Sequence, residues 1–278
     1  MTEMKISDTL RYITIRILTS KEQNTIWSGA GTGFLFLTSK GEKQAPMLVT
    51  NKHVLEGSEV VGLTFHETKD GNNTPFPGPG RVFNFKKNDI PILYHPDPDV
   101  DLAAITLAGV VEHIQGVEKW SPFIKCLGAE NLPDQKTIND LGAIEEIVMV
   151  GYPTGLADTA NNFPIVRKGI TSTPYKFSYL GKKQFLADIP VFGGSSGSPI
   201  CILNEGSYLS GNSLIVGSRF YLLGILYAGH TQKVNGEIVS VPVPTSVKPV
   251  AQIEQIINLG LCIKSELIND LVGQIPGW

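Results

Sequence analysis

The sequence contains few cysteines, and their spacing does not suggest a disulfide framework. Only three occur in 278 residues, at Cys126, Cys201 and Cys262. They are widely spaced and embedded in apolar sequence, a pattern typical of reduced thiols packed as small hydrophobic residues. We therefore expect a protein of the reducing cytoplasm.

The sequence also lacks a marked charge imbalance and a long hydrophobic run. It has 23 Lys and Arg against 26 Asp and Glu, a formal net charge of −3, which is too close to neutral for a dedicated nucleic-acid or anionic-membrane surface. The longest apolar stretch, near residues 220–229, is far shorter than the roughly 18 residues of a transmembrane helix. Charges scattered through residues 1–20 leave no apolar segment for a signal peptide. Neither nucleic acid nor a membrane is therefore expected as a partner.

The residues that are abundant predict a many-stranded β protein. Short β-branched and apolar runs alternate with Gly, Pro, Asn and Asp, as expected for strands joined by turns. Near the N-terminus Ile13, Ile15 and Ile17 recur at every second position, the period of a strand with one buried face. Long connections are expected over residues 67–101, as a surface loop, and over 117–141, as a crossing between domains.

The C-terminal region predicts helices that follow the strands. Residues 250–257 place apolar side chains at helical spacing, and Gly260 would end that helix. A second short helix is expected over residues 266–271. The first helix would be capped by Thr245 or Ser246 and would place Val250, Ile253 and Ile257 on one face.

The strongest chemical signal is a run of glycines and serines at residues 193–199, just before a predicted strand. Small residues let the backbone turn sharply and direct two N–H groups at one point, as a developing oxyanion requires. Taken alone, the run could equally be a flexible loop.

Two further segments carry groups suited to catalysis. His53 follows an apolar strand, and an acidic loop containing Asp97, Asp99 and Asp101 leads into another. Each has an ordinary alternative, because an isolated histidine is often structural and an acidic turn is often only solvated.

Together these segments resemble a known family. The order His53, Asp101, Ser196 and several short motifs resemble the chymotrypsin-like (trypsin-like) serine proteases over about residues 10–245, and more closely the bacterial trypsin-like peptidases that lack disulfides. The motifs are Gly31-Thr32-Gly33-Phe34, Thr50-Asn51-Lys52-His53, Asp101-Leu102-Ala103, Gly151-Tyr152-Pro153, Gly194-Ser195-Ser196-Gly197-Ser198-Pro199 and Gly224-Ile225.

The resemblance implies an all-β fold of two six-stranded antiparallel Greek-key barrels with the active site between them, followed by a C-terminal helix. Residues 1–125 would form the N-terminal barrel, and residues 126–244 the barrel that carries the nucleophile, the oxyanion hole and the specificity pocket. Residues 245–278 would form a helical segment.

The resemblance also implies a serine endopeptidase that acts through an acyl-enzyme intermediate. Ser196 would be the nucleophile, His53 the general base and Asp101 the group that orients the imidazole, while the N–H groups of Gly194 and Ser196 would form the oxyanion hole. Asp97 and Asp99 remain alternatives for the orienting role. Because Ser195 replaces the aspartate of zymogen-activated members, no proteolytic activation is expected.

The resemblance places the specificity pocket at Pro190, Tyr227, Ala228 and Gly229. Pro190 occupies the position that is acidic in Arg/Lys-cleaving members, so a small or medium apolar residue is expected before the cleaved bond. Tyr227 stands where many members have a serine that supports the catalytic aspartate, which leaves the surroundings of Asp101 open.

The sequence argues against several other kinds of site. The glycines of residues 29–33 open a strand rather than a helix, which argues against a dinucleotide site. The acidic loop lacks the Gly and Glu of a calcium loop, and the histidines lack zinc spacing. We expect no metal and no cofactor, a protein or peptide substrate, and a regulatory partner that the sequence does not identify. The alternative function is a catalytically silent or partner-activated peptide-binding or effector module on the same fold.

Overall fold

A computed structural model describes residues 4–22, 26–69, 74–211, 213–237 and 250–275, and antiparallel strands dominate these ranges. The strands are β1 (Thr14–Ser20), β2 (Gly29–Lys40), β3 (Lys43–Thr50), β4 (Val60–Thr68), β5 (Pro75–Lys86), β6 (Ile92–Tyr94), β7 (Ala103–Thr106), β8 (Glu146–Gly151), β9 (Ile165–Thr171), β10 (Gln184–Asp188), β11 (Pro199–Asn204), β12 (Ser207–Ser210), β13 (Ser213–Val216), β14 (Arg219–Glu237) and β15 (Val250–Lys264). The helices are α1 (Ile6–Ile13), α2 (Lys52–Leu55), α3 (Ala108–Gly116), α4 (Gln135–Asp140) and α5 (Ile268–Val272).

The first half of the chain forms a seven-stranded antiparallel sheet in the order β5-β4-β1-β2-β3-β7-β6. Its core side chains, including Ile15, Ile17 and Phe34, are fully or almost fully buried. Ile13 is also buried, but it ends α1 rather than starting a strand.

The second half contains a closed antiparallel barrel in the order β10-β15-β14-β11-β8-β9, with β12 and β13 as a separate two-stranded ribbon. Phe185, Ile200, Ile202 and Leu223 are fully buried in its core. The all-β fold class is therefore confirmed, with one six-stranded barrel and one seven-stranded sheet where two six-stranded barrels were expected.

The helix expected over residues 250–257 is wrong, because these residues begin β15. They pair with β14 from Glu237↔Val250 onward, and the later part of β15 also pairs with β10. The apolar spacing in the sequence fits a helix face. Pairing with distant strands, however, satisfies the backbone N–H and C=O groups that a helix would have paired, and it overrides the local helix preference. Thr245 and Ser246, the expected caps, lie outside the described residues.

The expected C-terminal helix over residues 266–271 is confirmed by a 3₁₀ turn at Ser265–Leu267 that continues into α5. The described part of the segment 245–278 thus begins with a barrel strand and ends with a helix. Within the described ranges, no helix combines the length and apolar character needed to cross a membrane.

Candidate active site

Strand pairing in the first sheet brings His53 and Asp101 together. β3 ends where β7 begins, with Thr50 opposite Ala103, so the residues after β3 lie beside those before β7. The buried Asn51 reinforces this approach by donating from Nδ2 to the Asp101 carbonyl at 2.7 Å. Sequence neighbours of two paired strands thus become spatial neighbours.

Asp101 holds His53 with both carboxylate oxygens. The imidazole Nδ1 donates to Oδ2 at 2.5 Å, and the His53 main-chain N–H donates to Oδ1 at 3.1 Å. A proton on Nδ1 leaves Nε2 as the basic nitrogen. The His53 side chain is 42% exposed, which leaves it accessible to a substrate.

The surroundings of Asp101 keep its carboxylate ionised. Burial raises the pKa of Asp101, but the hydrogen bonds from the His53 side chain and main chain, together with the His53 charge, outweigh burial and lower this pKa below its ordinary value. A carboxylate that remains charged can stabilise a neighbouring imidazolium.

Asp97 and Asp99, the alternatives for the orienting role, have other partners. The Asp97 carboxylate accepts the Asp99 main-chain N–H at 2.9 Å, and the Asp97 carbonyl accepts Lys52 Nζ at 2.9 Å. Asp99 lies 3.8 Å from Lys182 Nζ. Of these three aspartates, only Asp101 contacts His53 among the described hydrogen bonds and ion pairs.

Ser196 lies in a tight loop between β10 and β11 that requires glycine. Gly194 and Gly197 have φ values of +83° and +87°, in the left-handed region that glycine occupies at little cost. A side chain at Gly194 would also lie 2.6 Å from the carbonyl oxygen of Tyr152, and one at Gly197 would overlap the carbonyl of Thr32.

The peptide between Gly193 and Gly194 has a defined orientation. The Gly193 carbonyl accepts the Thr154 N–H at 2.5 Å. Because the C=O and N–H of a trans peptide point in opposite directions, the Gly194 N–H points away from Thr154. In the described part of the chain, neither this N–H nor that of Ser196 donates to a protein acceptor.

Thr32 joins the first sheet to the loop that contains Ser196, a contact that sequence reasoning missed. This buried residue donates its main-chain N–H to the Ser196 carbonyl and its Oγ1 to the Gly194 carbonyl, both at 2.9 Å. Its Oγ1 accepts the Tyr152 N–H at 3.0 Å, and its carbonyl accepts Thr50 Oγ1 at 2.7 Å. The motif containing Thr32 was visible in the sequence, but its partner Gly194 is 162 residues away.

A cleft of about 380 Å³ brings the candidate reactive groups to one surface. Its walls include His53, Gly193, Gly194 and Ser196. Asp101 contacts the imidazole through Nδ1, and no described hydrogen bond joins His53 Nε2 to Ser196 Oγ. Among the described residues, no group of three or more His, Cys, Asp and Glu side chains could hold a metal ion.

Tyr227 lies near Asp101 but bonds elsewhere. Its hydroxyl donates to Gln184 Oε1 at 2.6 Å. Burial and, secondarily, the negative charge of Asp101 raise the pKa of Tyr227. The phenol is therefore a neutral neighbour of the carboxylate.

The remaining residues assigned to the specificity pocket have contacts with Val191, Arg167 and β15. A side chain at Gly229 would lie 3.1 Å from Val191 Cγ1, so Val191 packs against this glycine. The Pro190 carbonyl accepts Arg167 Nη1 at 3.2 Å, and Ala228 pairs with Leu261 of β15. Pro190 and Ala228 are partly buried, and Gly229 is exposed.

One family model matches more than half of the chain. The model of the trypsin-like peptidase domain matches residues 31–209. The active form of the Rv3671c protease from M. tuberculosis has 13% identity and a TM-score of 0.47, with 96% of this chain and 82% of that chain covered. The inactive form of its serine-to-alanine mutant, from M. tuberculosis H37Rv, has 13% identity and a TM-score of 0.46. That match covers 96% of this chain and 88% of the mutant chain. Comparison with curated proteins finds no match.

Proposed function

The chain belongs to the trypsin-like peptidase family, and on this premise we propose that it is a serine endopeptidase acting through an acyl-enzyme intermediate. The observation that carries the proposal is the bidentate Asp101–His53 pair, whose imidazole lines one cleft with Ser196.

In this mechanism Ser196 Oγ attacks the scissile carbonyl while His53 Nε2 takes the hydroxyl proton. Asp101 holds the Nδ1 proton and stabilises the imidazolium without itself becoming protonated. His53 then gives its proton to the leaving amine, which leaves an acyl-enzyme. A water molecule deprotonated by His53 releases the acyl group and restores Ser196.

The N–H groups of Gly194 and Ser196 would stabilise the tetrahedral intermediate. Two observations support this role. Neither N–H donates to a protein acceptor among the described residues, and the Gly193 carbonyl points toward Thr154, so the Gly194 N–H points the opposite way. Losing one such donor costs on the order of 3 kcal/mol of transition-state stabilisation.

The substrate class proposed is a protein or peptide bound as an added strand. β14 pairs with β11 only as far as Ile225, while β15 pairs along its other edge past Gly229. The edge of residues 227–229 on the nucleophile side can therefore receive an extended backbone. The packing of Val191 against Gly229, with Pro190 and Ala228 adjacent, supports the preference for a small apolar residue before the cut.

Location in a reducing cytoplasm belongs to the same proposal. Its support is that Cys126, Cys201 and Cys262 are all free thiols, as expected where disulfides do not form.

The test is cleavage of an unbiased peptide library by wild type and Ser196→Ala. If the three side chains act as a unit, kcat falls by about 10⁶-fold in the variant. Ser195→Ala is the matched control, because it removes an adjacent buried hydroxyl that has no hydrogen-bond partner among the described residues.

Labelling with an organophosphonate probe separates the alternatives. Reaction at Ser196 in the folded protein supports the proposed nucleophile. A folded protein that neither cleaves peptides nor reacts would instead be a silent peptide-binding module, and activity that appears only after cell lysate is added would indicate a partner-activated effector.

A further inference from the structure

A second histidine–aspartate pair involves the loop that leads to Asp101. His95 Nε2 is 3.1 Å from Asp270 Oδ2, joining the segment after β6 to the C-terminal helix α5. The His95 side chain is only 4% exposed, whereas Asp270 is 50% exposed. Because the imidazole is buried and bonded, its position is fixed by its partners rather than by solvent.

The other atoms of His95 close the loop that leads to Asp101. The main-chain N–H of His95 donates to the Leu102 carbonyl at 3.0 Å, which joins the two ends of the loop. Within the loop, Nδ1 accepts the Asp97 main-chain N–H at 3.1 Å. Since Nδ1 is an acceptor, the proton lies on Nε2 and is donated to Asp270.

This loop also carries the groups that hold the segment of His53. The Asp97 carbonyl accepts Lys52 Nζ, the Asp101 carbonyl accepts Asn51 Nδ2, and the Asp101 carboxylate receives both bonds from His53. A change in loop conformation at Asp97 would therefore be transmitted to both sides of the Asp101–His53 pair.

We propose that His95 is a positioning residue for the Asp101–His53 pair and that Asp270 holds the His95 ring in place, which makes α5 part of the support of the active site. The predicted effects on kcat rest on the proposed peptidase function. The predicted positioning of the Asp101–His53 pair does not depend on activity.

Two variants of His95 test the two hydrogen bonds of its imidazole separately, and two variants of Asp270 test its role as the acceptor. His95→Asn keeps an acceptor near the position of Nδ1 but cannot reach Asp270, and His95→Gln keeps a donor near Nε2 but loses the acceptor for Asp97. Asp270→Asn keeps an oxygen acceptor and is the control for Asp270→Ala, which removes it. Asp270 is half-exposed, so its variants are expected to fold.

The expected kinetic result is a loss of kcat with little change in KM. His95→Gln lowers kcat by about 100-fold and Asp270→Ala by about tenfold, the range expected when a reacting group is displaced by a fraction of an ångström to one ångström. The acid limb of the pH–rate profile moves to lower pH, because a displaced Asp101 stabilises the imidazolium less. Asp270→Asn remains close to wild type.

A spectroscopic readout distinguishes failure of this proposal from failure of the proposed function. The proton shared by His53 Nδ1 and Asp101 should give a strongly deshielded proton NMR signal in Ser196→Ala, which needs no activity. Adding Asp270→Ala or His95→Gln should shift or broaden it. An unchanged signal and unchanged kcat in Asp270→Ala would overturn the proposal, even if thermal stability falls. An inactive wild type with a signal that responds to Asp270→Ala would overturn only the peptidase function.

Discussion

At the scale of single residues, the side chain of Asp101 is more constrained than that of its neighbours. Both its oxygens bond to His53, and its lowered pKa keeps it charged. Asp99 is highly exposed and contacts Lys182 across 3.8 Å, a separation at which an exposed ion pair contributes little. We therefore expect the replacement of Asp101 by asparagine to affect activity much more than the same replacement at Asp99.

Asp101→Asn should lower kcat by about 10⁴-fold, following the pattern of another serine protease, because the amide favours the wrong imidazole tautomer. The measurement is kcat on the best library peptide, with Asp99→Asn as the matched control that retains activity. A comparable loss in Asp99→Asn would transfer the orienting role to that residue.

At the scale of elements, β2 connects the two halves through Thr32. Its main chain and side chain bind the carbonyls of Ser196 and Gly194, and its Oγ1 receives the Tyr152 N–H. A strand of the first sheet therefore orients a loop of the barrel, and the position of Ser196 depends on correct docking of the two halves.

Thr32→Val should lower both kcat and stability. The substitution keeps the side-chain shape but leaves the Gly194 carbonyl and the Tyr152 N–H without this partner, at a cost of about 1–3 kcal/mol in the free energy of unfolding. Urea denaturation and kcat measure the two effects, and Thr32→Ser, which keeps the hydroxyl, is the control. Wild-type values in Thr32→Val would show that the hydroxyl does not orient the loop.

The elements also show where sequence reasoning stops. Alternating apolar residues predicted strands such as β1, because a half-buried strand exposes every second side chain. The same reasoning failed for residues 250–257, whose apolar spacing fits a helix but whose backbone pairs with β14. Local periodicity cannot reveal a partner strand that is distant in the sequence.

At the scale of the whole molecule, a buried polar and aromatic region joins the two halves. The Tyr152 hydroxyl lies 3.0 Å from the Asn162 carbonyl and 3.3 Å from the Thr14 carbonyl. Nearby, the buried His66 of β4 packs against Tyr12 and Phe163. Burial lowers the pKa of His66 from 6.5 to about 4, so the native state favours the neutral ring.

This pKa predicts that acid weakens the fold. The unfolded chain binds a proton at His66 below its ordinary pKa of 6.5, whereas the native state binds one only near pH 4. The stability contribution is therefore complete above pH 6.5 and falls by about 3 kcal/mol as the pH is lowered to 4.

Urea denaturation of wild type and His66→Phe across this pH range tests the prediction. The phenylalanine variant should lose this part of the pH dependence, while His113→Gln, a change at an exposed histidine, should keep it. Equal pH dependence in wild type and His66→Phe would exclude His66 as its source.

The sequence by itself determined the β-rich class, the family resemblance and the three candidate site residues, because strand periodicity and short glycine–serine motifs are local. Tertiary structure decided that residues 250–264 form a barrel strand, that Thr32 holds the loop of Ser196 and that Asp270 reaches His95. These partners lie far apart along the chain, 162 residues for Thr32 and Gly194 and 175 for His95 and Asp270. Their hydrogen bonds form only when folding brings these distant segments together, and no local pattern records that approach.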